Sequence, residues 1–171
     1  MTSRTLPEML IGRHLVRLGR TLATAESCSG GLVAHRITNV SGSSEYFLGG
    51  IVAYSNKVKA ALLHVPKEDL AAYGAVSEQV ARCMAEGARA CLGADYAVGV
   101  TGIAGPHGGT PEKPVGLVFI AVAAPEATMV LRNQFQGTRQ AVKNQTADRA
   151  LGILLEVLKR SASDETERSG A

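Results

Sequence analysis

Three short apolar segments each run into a turn or loop rich in small polar residues, and this alternation constrains the fold more than any other feature of the chain. The segments are TLATA (21–25), YFLGGIVAYS (46–55) and DYAVGVTG (95–102). The stretches between them have helical periodicity, so predicted strands alternate with predicted helices. That order is typical of an α/β fold, in which helices cover both faces of a sheet.

Several of the predicted helices have clear sequence signals at their ends. Pro7 suits the first turn of a helix and Gly19 its C-terminal cap, while Ser77 is a good N-cap and Gly93 a good C-terminal stop. We therefore predict helices at residues 7–18, 30–39, 57–64, 78–92 and 138–160.

The last two apolar segments, 115–124 and 128–135, are separated by only three residues, Pro125-Glu126-Ala127. A connection this short joins antiparallel strands, so the sheet must be mixed. We predict a three-layer α/β/α sandwich with a mixed, mainly parallel sheet of about five strands and an antiparallel hairpin near 115–136. One domain is expected over residues 1–160, followed by a disordered polar tail at 161–171.

The composition argues against several functional classes. The net charge is only +3, aromatic residues make up 4% of the chain, and there is no lysine–arginine block, so a nucleic-acid partner has little support. Cys28, Cys83 and Cys91 have no metal-ligand spacing and suit a reducing compartment. No apolar run reaches membrane-spanning length. We expect a cytoplasmic protein with no metal or other cofactor and no membrane partner.

The segment TAESCSGG (24–31) concentrates polar groups in one turn after the first predicted strand. Ser27 could act as a nucleophile whose oxyanion meets backbone N–H groups at the start of the next helix. Equally, Ser27 and Ser29 could only cap that helix while Gly30 and Gly31 permit the turn. The motifs G-x-S-x-G and S-x-x-K and the phosphate-binding P-loop are absent. The residues alone leave both interpretations open.

Two other segments could supply a base for such a serine. In AYSNKVKAAL, a lysine partly removed from water could lose its proton, and Tyr54 could relay that proton. The loop VTGIAGPHGGTPEKPVG (100–116) has five glycines and three prolines in seventeen residues, and it carries His107. Loops of this length are often functional. A lysine-based and a histidine-based site are both possible on this ground.

Five motifs together resemble the C-terminal domain of the CinA (competence-damage-inducible) family, whose stand-alone members are nicotinamide-nucleotide amidohydrolases. They occur in order over about residues 6–158: TAESCSGG, SGSSEYFLGGIVAYSN, KAALLHVP, GAVSEQV and VTGIAGPHGGTPEKPVG. The resemblance implies conversion of nicotinamide mononucleotide (NMN) to nicotinate mononucleotide and ammonia, without a metal. It assigns the nucleophile to Ser27, with Lys59 as general base acting directly or through Tyr54.

The resemblance also leads us to expect a pocket for the nucleotide. The expected oxyanion donors are the N–H groups of Ser29, Gly30 and Gly31. The other expected substrate-binding residues are Thr101, Gly102, Ala104, Gly105, Arg139, Ser43 and Ser44. Thr138 replaces the family's usual aspartate, which removes a carboxylate from beside Arg139. We expect a homo-oligomer that binds this small nucleotide.

Two alternatives stay open. One is a Ser-His hydrolase, in which His107→Ala would abolish turnover. The other is a non-catalytic nucleotide- or partner-binding domain linked to competence or DNA damage, since a fold does not fix a function. Such a domain would bind the nucleotide without releasing ammonia.

Overall fold

The chain forms one five-stranded sheet with helices on both faces. The computed structural model describes residues 6–169, and the side chains of residues 6–163. The helices are α1 (Pro7–Leu18), α2 (Leu32–Thr38), α3 (Asn56–Leu63), α4 (Lys67–Tyr73), α5 (Glu78–Leu92) and α6 (Arg139–Ser169). The strands are β1 (Leu22–Glu26), β2 (Phe47–Val52), β3 (Tyr96–Gly102), β4 (Leu117–Ala123) and β5 (Thr128–Gln134).

The strand order in the sheet is β2-β1-β3-β4-β5. Strand β1 lies parallel to β2 and β3, whereas β3–β4 and β4–β5 are antiparallel pairs. The predicted mixed sheet and its C-terminal hairpin are therefore confirmed. Because β1, β2 and β3 run in the same direction, the segments that follow them meet at one edge of the sheet.

The two faces of the sheet bury side chains of different size. Large residues of the strands, such as Val98 and Ile120, pack with α1, α2 and α6. On the other face, small strand residues such as Ala97 and Ala121 lie under α5. A Cβ on Gly99 would lie 2.7 Å from the carbonyl oxygen of Ala81 in α5. Helix α5 thus lies directly against the strand backbone, and α3 packs on α5.

We expect Gly87→Ala to destabilise the chain, because a Cβ at this position in α5 would lie 2.1 Å from the carbonyl oxygen of Leu63 in α3. To avoid this clash the two helices must move apart, which should lower the free energy of unfolding by about 1–3 kcal/mol. Urea unfolding measures this free energy. Gly152→Ala in α6 is the matched control, since its Cβ would meet nothing within 4 Å. That variant should gain about 0.5–1 kcal/mol. Equal midpoints for the two variants would contradict the close packing.

Two predicted helix boundaries need correction. Helix α2 begins at Leu32 rather than at Gly30, because Gly30 and Gly31 have positive φ angles of 65° and 92° that a helix cannot contain. Helix α6 continues to Ser169, past the predicted end at 160, since no proline or glycine occurs between residue 160 and Gly170. The segment 161–169, expected to be disordered, is therefore helical, and residues 170 and 171 lie outside the described part.

Candidate active site

A cavity of about 290 Å³ lies at the edge of the sheet where the parallel strands end. Ser27 follows β1, Tyr54 follows β2, and Thr101 and Gly102 close β3. The cavity brings together eight of the predicted site residues: Ser27, Tyr54, Lys59, Thr101, Gly102, Ala104, Gly105 and Arg139. Convergence of these loops follows from the parallel direction of the three strands.

Ser27 and Lys59 are in direct contact within this cavity. The Lys59 Nζ atom lies 3.1 Å from the Ser27 Oγ atom and donates a hydrogen bond of 2.8 Å to the Ala53 carbonyl oxygen. Only 2% of Lys59 is exposed to solvent, and burial lowers the pKa of its amino group. A lysine held in the neutral form can accept the proton of a neighbouring hydroxyl. The pair therefore has the arrangement of a nucleophile and its general base.

The start of α3 explains why this lysine points inward. The Ser55 Oγ atom accepts a hydrogen bond from the Val58 backbone N–H at 3.2 Å, so Ser55 is the N-cap and α3 begins at Asn56. The helical repeat then turns Lys59 toward Ser27 and leaves Lys57 exposed. Two lysines of similar sequence context are thus separated by helix geometry into one buried and one solvated side chain.

The Glu26 carboxylate holds the turn that carries Ser27. This residue is 1% exposed. Its Oε2 atom accepts hydrogen bonds from the Ser29 hydroxyl (2.7 Å) and from the Gly31 (3.1 Å) and Val33 (3.0 Å) N–H groups. Its Oε1 atom accepts a fourth, from the Ala34 N–H, at 2.8 Å. A strand-end carboxylate thus caps the following helix, and sequence analysis assigned Glu26 no role.

These hydrogen bonds engage two of the three expected oxyanion donors, the N–H groups of Gly30 and Gly31. The Gly31 N–H and the Ser29 hydroxyl are used by Glu26, and the Gly30 N–H donates to the Ser27 carbonyl oxygen at 3.1 Å. None of these three residues is among those that line the cavity. Within the described residues, the N–H groups of Cys28 and Ser29 have no carbonyl or carboxylate acceptor.

We expect Glu26→Ala to lower the free energy of unfolding by about 3 kcal/mol or more, because it leaves four donors of the turn without their acceptor. Glu26→Gln retains one carbonyl oxygen and should lose less. Urea unfolding measures the free energy of unfolding of the wild type and the two variants, which should decrease from wild type to Glu26→Gln to Glu26→Ala. A Glu26→Ala chain that unfolds at the wild-type midpoint would show that the turn does not depend on this carboxylate.

Tyr54 and Arg139 form a second contact, at the cavity mouth. Arg139 donates hydrogen bonds to the Tyr54 hydroxyl oxygen at 2.6 Å and to the Gly105 carbonyl oxygen at 2.8 Å. Tyr54 is 60% exposed, and within the described residues its hydroxyl is not hydrogen-bonded to Ser27 or Lys59. The structure therefore provides a direct Lys59–Ser27 contact, while the Tyr54 hydroxyl is bonded to Arg139.

Ser43 and Ser44, also expected to bind the substrate, are not among the residues that line this cavity. They belong to a short 3-10 turn, Ser43–Glu45, immediately before β2. Residues that precede a strand lie at its amino end, whereas Ser27 follows the carboxyl end of the parallel strand β1. The two serines and the cavity are therefore at opposite edges of the sheet within this chain.

Two other reactive side chains line the same cavity, the Cys28 thiol and the His107 imidazole. Burial raises the pKa of Cys28 to about 12, so its thiol stays protonated near neutral pH. His107 lines the cavity but is exposed, and in the described part of the chain it has no hydrogen bond to Ser27. Geometry thus favours Lys59 over His107 as the base.

Sequence reasoning missed three cavity residues, Asn56, Ala75 and Val76, whereas Ile103 and Gly108 belong to the glycine-rich loop that it singled out. The Thr101 hydroxyl donates to the Ala75 carbonyl oxygen at 2.7 Å, which joins the segment before α5 to the end of β3. Only Asn56 had a usable signal, since it follows Tyr54 at the end of a predicted strand. Among the described residues, no group of three or more His, Cys, Asp or Glu side chains is placed to hold a metal ion.

The sequence from residue 5 to residue 158 matches the family model described as the CinA C-terminal domain. The chain belongs to the CinA C-terminal domain family. A CinA-like protein of Anaeromyxobacter sp. (strain K) is 52% identical over 149 residues, which are 87% of this chain and 36% of that protein. A CinA-like protein of Desulfotalea psychrophila is 48% identical over 151 residues, 88% of this chain and 37% of that protein. The chain thus spans little more than a third of these curated relatives.

Solved structures support the same family. The competence/damage inducible protein CihA from Agrobacterium tumefaciens has a TM-score of 0.84 and 38% identity, covering 93% of this chain and 99% of that one. A CinA superfamily protein from Enterobacter cloacae has a TM-score of 0.87 and 30% identity, covering 92% of this chain and 96% of that one. No helix among the described residues of this CinA domain is both long and apolar enough to span a membrane.

Proposed function

We propose that the chain is an amidohydrolase that converts NMN to nicotinate mononucleotide and ammonia, a reaction of pyridine nucleotide recycling. The observation that carries this proposal is the contact between the buried Lys59 amine and the Ser27 hydroxyl, 3.1 Å apart. Membership of the CinA family and the resemblance of its motifs to nicotinamide-nucleotide amidohydrolases supply the substrate class.

In the first half of the reaction, neutral Lys59 takes the proton of Ser27 as Oγ attacks the carboxamide carbon of the substrate. The tetrahedral intermediate bears its negative charge on the former carbonyl oxygen. We assign the N–H groups of Cys28 and Ser29 as the donors to this oxyanion. The next N–H groups along the chain already donate hydrogen bonds to the Ser27 carbonyl oxygen and the Glu26 carboxylate.

Collapse of the intermediate breaks the carbon–nitrogen bond. Protonated Lys59 gives its proton to the departing nitrogen, so ammonia leaves and a nicotinoyl ester on Ser27 remains. Water then loses a proton to Lys59 and attacks the ester carbon. As the ester bond breaks, Lys59 returns this proton to the Ser27 Oγ atom. The acid product leaves as a carboxylate after losing its own proton to solvent. Lys59 can serve both steps because its Nζ atom lies directly against Ser27 Oγ.

An ammonia-release assay with NMN tests the proposal, with His107→Ala as the variant that separates a lysine base from a histidine base. Because His107 is exposed at the cavity edge, its loss should change turnover only modestly. Abolished turnover in His107→Ala would instead favour a Ser-His hydrolase. Binding of NMN without ammonia release by the wild-type chain would identify a non-catalytic nucleotide-binding domain.

A further inference from the structure

A second cavity, of about 480 Å³, lies between α1 and the segment that leads from α2 into β2. One wall is formed by Met9, Gly12, Arg13, Val16 and Arg17 of α1, and the opposite wall by Val40, Ser41, Gly42, Glu45 and Tyr46. Because Tyr46 immediately precedes β2, this amino-edge cavity is at the opposite edge of the sheet from Ser27. Its volume falls within the range of about 300–1,000 Å³ that is typical of small-molecule sites.

The Tyr46 side chain brings an unpartnered polar atom to the amino-edge cavity. Tyr46 is 2% exposed, and its hydroxyl group is buried without a hydrogen-bond partner among the described residues. The ring lies against α1 at Gly12, where a Cβ would be 2.8 Å from the hydroxyl oxygen. Burial of a hydroxyl without a hydrogen bond is unfavourable, so such groups usually have a partner. A ligand that enters between the two walls can supply the acceptor for this hydroxyl.

The charges that line the amino-edge cavity favour an anion. Arg13 and Arg17 lie one turn apart on the exposed side of α1, and Glu45 stands on the opposite wall. None of these three residues forms an ion pair with another described side chain. Two guanidinium groups against one carboxylate leave an excess of one positive charge, which suits a monoanion better than a phosphate dianion.

Apolar side chains supply much of the remaining surface of this cavity. Met9 is 41% exposed and Val16 is 51% exposed, and both line the cavity together with Val40. A ligand that covers these side chains removes their apolar surface from water, which favours binding. The faces of aromatic rings are good partners for both methionine sulfur and arginine guanidinium groups. The lining therefore suits a ligand with an aromatic body and a charged end.

We propose that the amino-edge cavity binds a small amphipathic monoanion, an aromatic ring system that carries one carboxylate. The Tyr46 hydroxyl donates a hydrogen bond to one carboxylate oxygen, and Arg13 and Arg17 supply the positive charge that holds the anion. Met9 and Val16 pack against the ring system. This site does not depend on the proposed hydrolysis, because the catalytic pair lies at the other edge of the sheet.

Calorimetric titration of the full chain with naphthoate tests the site, with naphthamide as the uncharged compound of the same ring system. Naphthoate should bind with a Kd of roughly 0.1–1 mM, and naphthamide about tenfold more weakly or worse. Tyr46→Phe, which removes only the hydroxyl oxygen, should weaken naphthoate binding roughly tenfold without lowering the urea midpoint of the free chain. Arg13→Gln should weaken it roughly two- to fivefold. Tyr54→Phe and Arg132→Gln, at two exposed residues elsewhere, are the matched controls and should leave the affinity unchanged.

NMR of isotope-labelled methionine methyl groups shows where naphthoate binds. Met9 lines the amino-edge cavity, whereas Met84 is buried in α5 and Met129 lies on β5. Naphthoate should shift the Met9 methyl resonance and leave those of Met84 and Met129 unchanged.

Unchanged naphthoate affinity in Tyr46→Phe, equal affinities for naphthoate and naphthamide, or an unmoved Met9 resonance would each overturn the proposal. A loss of affinity in Tyr54→Phe would place the probe in the cavity at Ser27 and would overturn it as well. If the Met9 resonance instead moves when the chain alone is diluted, a second copy of the chain occupies the cavity, which also contradicts a small-molecule site.

Discussion

Ser27→Ala is expected to lower the rate of ammonia release from NMN by roughly 10⁴-fold or more, because it removes the atom that attacks the carboxamide. Binding should survive, since the cavity and the Arg139 contacts do not depend on the hydroxyl. The measurement is ammonia release under saturating substrate, paired with the dissociation constant of NMN.

Cys28→Ala is the control for this variant, because it alters the neighbouring residue without touching the nucleophile. A small packing loss is expected there, and turnover should stay near the wild-type value. Normal turnover by Ser27→Ala would make the nucleophile assignment wrong, and a comparable loss in Cys28→Ala would show that the turn as a whole had been disturbed.

Lys59→Met is expected to reduce turnover by about 10²–10⁴-fold, the usual contribution of a positioned general base. Lys59→Arg should turn over no faster than Lys59→Met, because a guanidinium stays protonated and cannot accept the proton of Ser27. Lys57→Met, two residues away on the exposed side of α3, should keep wild-type activity. In the wild type, kcat/KM should rise with pH as Lys59 loses its proton, below the ordinary lysine value of 10.5. A rate that is independent of pH across this range would count against a lysine base.

The same lysine makes stability depend on pH in a predictable direction. Burial lowers the pKa of Lys59 in the folded chain, so between that value and 10.5 the unfolded chain binds more protons than the folded one. The free energy of unfolding of the wild type should therefore rise with pH relative to that of Lys59→Met through this window. The buried Cys28 thiol, whose pKa is raised, acts in the opposite direction but affects both chains alike. Urea unfolding from pH 7 to pH 10 measures this relative rise, and parallel curves for the two chains would contradict the lowered pKa.

The convergence of the two segments that carry Ser27 and Lys59 could be predicted from the order of strands and helices. Alternation of strands and helices places both residues after parallel strands, and such segments converge at one edge of a sheet. The N-cap at Ser55 then fixes which lysine of α3 points inward. Local signals and the strand direction therefore explain where the central pair lies, whereas the resemblance to the CinA family selected Ser27 and Lys59 from the other candidates.

The parts that sequence reasoning missed depend on contacts between atoms rather than on patterns. The role of Glu26 needs the turn at Gly30 and Gly31, whose φ angles bring the helix N–H groups toward a strand side chain. The resemblance transfers Ser43 and Ser44 without saying at which edge of the sheet they lie, so their separation from the cavity within this chain could not be predicted. The contact between Tyr54 and Arg139 joins residues 85 positions apart in the chain, and no periodicity predicts it.

The burial of Cys28 has a practical consequence for labelling chemistry. Alkylating reagents attack thiolates, and a thiol with a pKa of about 12 in the protein interior supplies almost none at neutral pH. Cys91, by contrast, is exposed near the end of α5, away from the cavity residues. A maleimide dye should therefore react at Cys91 in preference to half-buried Cys83, whose pKa is also raised by burial, while the serine beside Cys28 stays unmodified.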